Sequence, residues 1–266
     1  MELNFYSLSS GSSGNCYYLG NGQGGILIDA GIPGSSVIRF LKMASIPVAS
    51  IMGILVTHNH TDHTRGLEYL TRRSFLPAFT TSKVRKSILS PKKRIAPDSI
   101  REIPLEKEFH LAGFEITAFP VSHDAPETIG FHIRSGENTI TIATDLGYIC
   151  NKSAEYIKAA NLLVIESNYD EQMLIKGRYP WFLKERIQSD RGHLGNHQVS
   201  AFLADIIGGK LSHICLAHLS NNNNTPDLAL KTLYNTFTEK GIVLNGSPVI
   251  SVLNRHMPTD MIRITG

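Results

Sequence analysis

The sequence predicts an α/β fold of four layers, an αββα sandwich in which two sheets pack face to face with helices outside. Three observations lead there. Short apolar runs rich in Ile, Leu and Val gather in two regions, each followed by stretches with helical spacing. Hydrophobic residues make up 42% and charged residues 18% of the 266, an ordinary globular balance that excludes a disordered chain. No linker, sequence repeat or composition break divides the chain, so residues 1–266 read as a single domain.

Taken in order, Asn4–Leu8 and Cys16–Leu19 read as strands separated by Ser9-Ser10-Gly11-Ser12-Ser13-Gly14-Asn15, a stretch that favours turns. Gly25–Asp29 and Ile51–Thr57 are compact apolar runs, as expected of strands buried on both faces. Between them Ser35–Met43 places Val37, Ile38 and Leu41 on one helical side. Asp62 reads as the cap of a helix with Leu67 and Leu70 on its apolar side. Phe114–Pro120 alternates, and Ile129–Ile133 and Thr139–Ala143 read as hairpin partners across Ser135-Gly136-Glu137-Asn138. Ser153–Ala160 reads as helix, Leu162–Ile165 as a buried strand, and Asp170–Asp190 as an amphipathic helix on which Trp181 and Phe182 either pack on the core, a reading that favours Phe182, or offer a stacking surface. Helices over Gln198–Ile207 and Asp227–Lys240, a strand over Ser212–Ala217 and a last strand over Val249–Leu253 complete the reading.

The formal charge of +3 and pI near 8.7 permit a polyanionic partner without requiring one. Cys16, Cys150 and Cys215 are far apart and odd in number, which argues against a disulfide framework or a cysteine zinc site and fits a reducing compartment. The first residues lack the basic-then-apolar pattern of a signal peptide, and no apolar run reaches the ~20 residues of a membrane span. A cytoplasmic protein with no membrane partner is the expectation.

Residues 58–63 read His-Asn-His-Thr-Asp-His, directly after an apolar strand. A loop at a strand end can turn several of these side chains toward one point, and imidazole with carboxylate suits zinc, iron or manganese. His123, Asp145 and His218 each follow a strand-like run as well. An aspartate after a strand is often only a turn former. Together with His58, His60, Asp62 and His63, however, these make seven nitrogen and oxygen donors, enough for two divalent metal ions that share Asp145.

The order HxHxDH, His, Asp, His resembles the metallo-β-lactamase superfamily of dinuclear hydrolases. The segments Ser9–Cys16, Val121-Ser122-His123-Asp124-Ala125, Ile165-Glu166-Ser167-Asn168, Gly177-Arg178-Tyr179-Pro180, Gly192-His193-Leu194 and Leu216-Ala217-His218-Leu219-Ser220 narrow the resemblance to the YycJ/WalJ family, across essentially the whole chain. That resemblance implies the metallo-β-lactamase type of αββα sandwich. It also implies a bacterial metal-dependent DNA exonuclease of 5′-to-3′ polarity, linked to mismatch repair. Carried over residue by residue, His58, His60 and His123 hold one metal, Asp62, His63 and His218 the other, and Asp145 bridges, with Asp62 also counted as catalytic. Asn59 stands where glutamate is common in the family, at a position that is not a ligand, and Asn221–Asn224 is richer in asparagine than the usual loop.

By analogy with the Glu–His pair of tRNase Z-type nucleases, Glu166 keeps His193 protonated and His193 donates to the leaving 3′-oxygen. His110, His132 and His213 lie in strand-like runs and read as structural, while His197 and His256 have no role. Basic residues gather at Arg72, Arg73, Lys83, Arg85, Lys86, Lys92, Lys93 and Arg94, and again at Lys176, Arg178, Lys184, Arg186 and Arg191. A solvated face is the ordinary reading of such charge. Beside a phosphodiesterase site, Arg178, Lys184 and Arg186 with Tyr179 and Trp181 can also track and stack on a nucleic acid, DNA ahead of RNA, while Ser12 and Ser13 hold a phosphate oxygen. The competing readings are an RNA-processing nuclease, a small-molecule ester or lactam hydrolase, and a metal-binding regulatory protein without turnover.

Overall fold

The computed structural model describes residues 2–89 and 94–264. The first half alternates strands β1 (Leu3–Ser9), β2 (Cys16–Gly20), β3 (Gly25–Ile28), β4 (Ile51–Leu55), β5 (Ala78–Thr80) and β6 (Ile100–Glu102) with helices α1 (Gly34–Met43), α2 (Thr61–Thr64), α3 (Leu67–Arg73) and α4 (Ser82–Ile88). The second half holds β7 (Glu108–Leu111), β8 (Phe114–Val121), β9 (Thr128–Ser135), β10 (Asn138–Ala143), β11 (Leu162–Glu166), β12 (His213–Ala217) and β13 (Val249–Val252). Its helices are α5 (Asn151–Lys158), α6 (Glu171–Lys176), α7 (Trp181–Gln188), α8 (Asn196–Ile206) and α9 (Pro226–Glu239), and β14 (Ile262–Ile264) closes the chain's last pairing.

The strands form two seven-stranded sheets, ordered β14-β1-β2-β3-β4-β5-β6 and β13-β12-β11-β10-β9-β8-β7. In each sheet the early strands pair antiparallel through β3 or β10, and the later ones pair parallel. The two halves therefore repeat one topology, although their sequences show no repeat. Phe5, Tyr17, Ile26 and Ile28 of the first sheet meet Phe114, Ile116, Phe131 and Ile140 of the second in a core between the sheets. On the outer faces, Leu27 and Ile54 pack under Val37, Leu41 and Leu70 of the helices, and Leu163 and Ile214 pack under Val199, Leu203 and Leu233. Strands β3, β11 and β12 thus bury both faces, which is why they read as unbroken apolar runs.

Several expectations need correction. Asp62 is not a cap: His60 occupies the N-cap of α2, and Asp62 stands in its first turn, which frees the carboxylate for the site. The amphipathic stretch Asp170–Asp190 is two helices, broken at Gly177-Arg178-Tyr179-Pro180, because Pro180 can end one helix or begin another but cannot continue one. Trp181 and Phe182 are 65% and 71% exposed and pack on no core; the side of α7 that turns inward carries Lys184 instead. Val249–Leu253 is not the last strand, since β14 crosses back to pair with β1.

Candidate metal centre

All seven expected ligands sit at the same end of the two sheets. His58, His60, Asp62 and His63 come from the loop and short helix after β4, His123 follows β8, Asp145 follows β10 and His218 follows β12. The ligand loop lies close against the turn after β3: a Cβ on Gly31 would stand 1.7 Å from the Asp62 carbonyl oxygen, so only glycine fits there. Asp145 and His218 adopt left-handed backbone, at φ +57° and +54°, and so turn sharply off their strands toward the cleft.

The donors fall into two groups. His58, His60 and His123 form one, and Asp62, His63, Asp145 and His218 form the other, each within 4.8 Å. Asp145 faces both: Oδ1 is 3.7 Å from His123 Nε2, while Oδ2 is 3.1 Å from His63 Nε2 and 2.8 Å from His218 Nδ1. The chemistry of the set fits divalent cations. His58 Nε2 is buried without a hydrogen-bond partner among the described residues, and Asp145 Oδ2 and His218 Nδ1 face each other without the alignment of a hydrogen bond. Buried polar atoms left in this way are costly unless something else satisfies them.

Ionisation agrees. Burial and the neighbouring His63 hold His58 well below the usual imidazole range, leaving a free lone pair. Burial also lowers His63 on its own, but Asp145, Asp29 and Asp62 outweigh it and raise that ring well above its ordinary value. Burial alone would raise Asp145, yet His218 and His63 keep its carboxyl well below the carboxylate range. The pocket is thus an excess of carboxylate with protons parked on two imidazoles, which cations can displace.

Sequence reading missed the residue that orients both groups. Asp29 ends the apolar run of β3, a strand-end carboxylate like Asp145, and that pattern was the available signal. It is fully buried, at φ +59°, and accepts the Thr57 N–H at 2.8 Å, the Thr57 hydroxyl at 2.9 Å and His63 Nδ1–H at 2.7 Å. Because the Thr57 hydroxyl proton points at Asp29, its oxygen is left to accept His58 Nδ1–H at 3.0 Å. Both rings are therefore fixed with Nε2 facing the centre. His123 is set likewise, by Nδ1–H donation to the Gly192 carbonyl at 2.9 Å. Asp29→Asn should lower metal affinity by about 10–100-fold, the usual effect of losing such an outer partner. A chelator-competition titration measures this, and wild-type affinity would remove the orienting role.

Glu166 and His193 meet beside the centre. Glu166 is fully buried at the end of β11, and its Oε1 accepts His193 Nδ1–H at 2.8 Å. Its Oε2 accepts the N–H groups of Leu146 and Leu194 at 3.1 and 3.2 Å, so one carboxylate ties the Asp145 turn to the His193 loop. Burial alone would lower His193, but the Glu166 charge and hydrogen bond lift it to about 9, an imidazolium at neutral pH. His193 lines the cleft with His60, Asp62, His123, Asp145 and His218.

The structure sorts the other expected contacts. Ser12, Tyr179 and Arg186 line the cleft, and Arg186 pairs with Asp124, whose other oxygen lies 3.2 Å from His123 Nε2. Ser13 turns away to a neighbouring concavity. Arg178 lies in an adjoining groove with Tyr179 and Asn222, and exposed Trp181 donates its indole N–H to Glu185 at 2.7 Å. Lys184 is only 8% exposed and donates to the Ile175 carbonyl at 2.6 Å, so it fastens α7 to α6. Lys92 and Lys93 lie outside the described residues. His132 and His213 make structural contacts with Thr141 and Ser212, while exposed His110 lies 3.9 Å from Glu108 and exposed His197 lies 3.8 Å from Glu171.

Comparison with known proteins agrees with this geometry. The model of the Beta-lactamase superfamily domain matches residues 25–214, which include every ligand but His218. The chain is 36% identical over 267 residues to Exodeoxyribonuclease YycJ of Bacillus anthracis, covering 97% of this chain and 98% of that one. The chain belongs to the YycJ/WalJ family of the metallo-β-lactamase superfamily. Exodeoxyribonuclease WalJ of Streptococcus pneumoniae is a second member, 32% identical over 242 residues and 90% of each chain. The fold matches that of the metallo-β-lactamase fold protein YhfI from Bacillus subtilis, with a TM-score of 0.71 at 14% identity, over 97% of this chain and 99% of that one. Like its superfamily, this protein is a metal-dependent hydrolase with a divalent-metal site of histidine and aspartate.

Proposed function

We infer that the protein is a dinuclear phosphodiesterase acting on DNA as an exonuclease, with 5′-to-3′ polarity and a place in mismatch repair as its family suggests. The observation that carries the two-metal reading is Asp145, whose two oxygens face the two donor groups separately. DNA as substrate rests on the names of two relatives that align over nine-tenths or more of the chain. Imidazole nitrogen and carboxylate oxygen suit zinc, manganese or iron. Residues 1–266 act as one hydrolase domain on this reading. Three free cysteines fit a reducing cytoplasm, and no helix among the described residues is long and apolar enough to cross a membrane.

His58, His60 and His123 would hold one cation, and Asp62, His63 and His218 the other, with Asp145 between. So held, two cations would supply Lewis acidity, activating water and neutralising charge on a phosphoryl oxygen. The chain's own residues do the rest. Glu166 occupies His193 Nδ1 and leaves Nε2–H, the ring's other donor, to protonate a leaving 3′-oxygen. Asp62 faces the second cation site at the mouth of the cleft, 3.7 Å from His218 Nε2, where it can orient the attacking water. Tyr179 and Arg186 flank the entrance, where a sugar–phosphate strand enters.

Incubation with end-labelled single- and double-stranded DNA and RNA across metals, with products resolved by length, tests the whole reading; absence of metal-dependent turnover on all four would end it. Arg178→Gln with Arg186→Gln should flatten the salt dependence of DNA binding by about 1.4–1.8 in log–log slope if each guanidinium neutralises one phosphate. Binding titrations at several salt concentrations read this, and an unchanged slope would leave the α6–α7 segment as a packing element.

A further inference from the structure

A second concavity lies on the other side of the Ser12–Ser13 turn. Ser12 lines the metal cleft, and the next residue, Ser13, lines this one, together with Ser36, Arg39, Arg65, Arg255 and His256. Its lining holds three guanidiniums and an imidazole but no carboxylate. Of the arginines elsewhere, Arg72, Arg85, Arg134 and Arg186 pair with Glu68, Glu102, Glu115 and Asp124, while Arg73, Arg101, Arg178 and Arg191 make no ion pair among the described residues. Among the described residues no salt bridge joins Arg39, Arg65 or Arg255 to a carboxylate.

These groups are also held in place. The Arg39 guanidinium lies 4.8 Å over the Phe40 ring, which walls the same concavity. Arg65 stands at the C-cap of α2, the helix that carries Asp62 and His63, where its backbone N–H donates to the Thr61 carbonyl. Arg255 crosses the Ser–Gly loop at Gly11, where a Cβ would come within 2.9 Å of its Cγ, and it donates to Asn221 Oδ1 at 2.8 Å and to the Asn224 carbonyl at 3.1 Å. Two loops that border the metal cleft thus fix one wall of the second concavity. Converging, carboxylate-free guanidiniums with hydroxyls between them recognise phosphate oxygens.

We propose that this concavity is a phosphate subsite, which holds a phosphate of the polynucleotide strand beyond the one at the metals. The proposal rests on the nuclease reading and extends its binding surface across the Ser12–Ser13 turn. A strand would pass over the Ser12–Ser13 turn, with Ser12 toward the reacting group and Ser13 toward the next.

The test uses metal-loaded protein silenced by His193→Ala and fluorescence anisotropy with labelled single-stranded DNA. Adding Arg39→Gln and Arg65→Gln should weaken binding of a twelve-nucleotide strand at least tenfold at low salt. It should also flatten the log–log salt slope by about 0.7, the value for the one single-strand phosphate that the concavity holds. Both side chains are exposed, so the fold should tolerate the change. Lys107→Gln with Lys158→Gln removes the same charge outside the concavity and should flatten the slope far less; equal flattening would overturn the subsite in favour of general attraction. Strands with 5′-hydroxyl and 5′-phosphate ends distinguish an internal diester from a terminal monoester as the group held. A slope unchanged by the arginine substitutions overturns the subsite alone. Failure of the protein with Arg39 and Arg65 intact to bind any DNA or RNA overturns the nuclease reading with it.

Discussion

His193→Ala should slow hydrolysis of an unactivated DNA phosphodiester by about 10²–10⁴, the range for loss of a positioned general acid. The expelled 3′-oxygen is alkoxide-like and needs a proton, whereas a nitrophenyl phosphodiester expels a stable phenolate. The nitrophenyl substrate should therefore slow far less, with metal content at the wild-type value. Glu166→Gln should show the same selectivity more mildly. It should also move the alkaline limb of the DNA rate profile to lower pH, because the carboxylate is what raises the His193 pKa to about 9 against the effect of burial. The sign is that of a protonated acid: activity is held below the raised pKa and lost as pH climbs through it. Equal damage to both substrates at full metal occupancy would recast His193 as a phosphate-positioning residue.

Asp145→Ala should cost the protein at least one of the two metals proposed for it. The residue is 1% exposed, lies between the two donor groups, and among the described residues is the one carboxylate with an oxygen directed at each. A shared anion offsets repulsion between two dications, so its loss should affect occupancy before it affects folding. Elemental analysis after dialysis reads this directly. A fully loaded variant would sink the bridging role, and the two groups would then be independent sites. His58→Ala makes a useful contrast, because it removes a donor from one group only and should impair the DNA and nitrophenyl substrates together.

The ligands are legible because each follows a strand-like run, and a histidine or aspartate just past the end of such a run stands out. The same logic exposes Glu166 at the end of β11, and Asp29 after β3 carries the same signal. Thr57 was less visible: its role depends on which way one hydroxyl proton points, a matter of three-dimensional hydrogen bonding. The three-residue strands β5, β6 and β14 are too short to carry a period and take their form from neighbours already in the sheet. The α6–α7 break was readable in Pro180, but the helical spacing on either side masked it. The inward turn of Lys184 was not readable, since charge alone points to solvent and only the Ile175 carbonyl reverses that.

Asp29, Asp145 and His218, at φ +59°, +57° and +54°, carry a cost of another kind. Left-handed backbone disfavours a side chain by roughly 1–2 kcal/mol, least for aspartate and more for histidine. Glycine would relieve the backbone strain at each position but remove a buried side chain, and at Asp29 it would leave the Thr57 and His63 donors without their acceptor. Attempts to harden the protein should therefore leave these three positions untouched and seek their gains on the helices that cover the sheets.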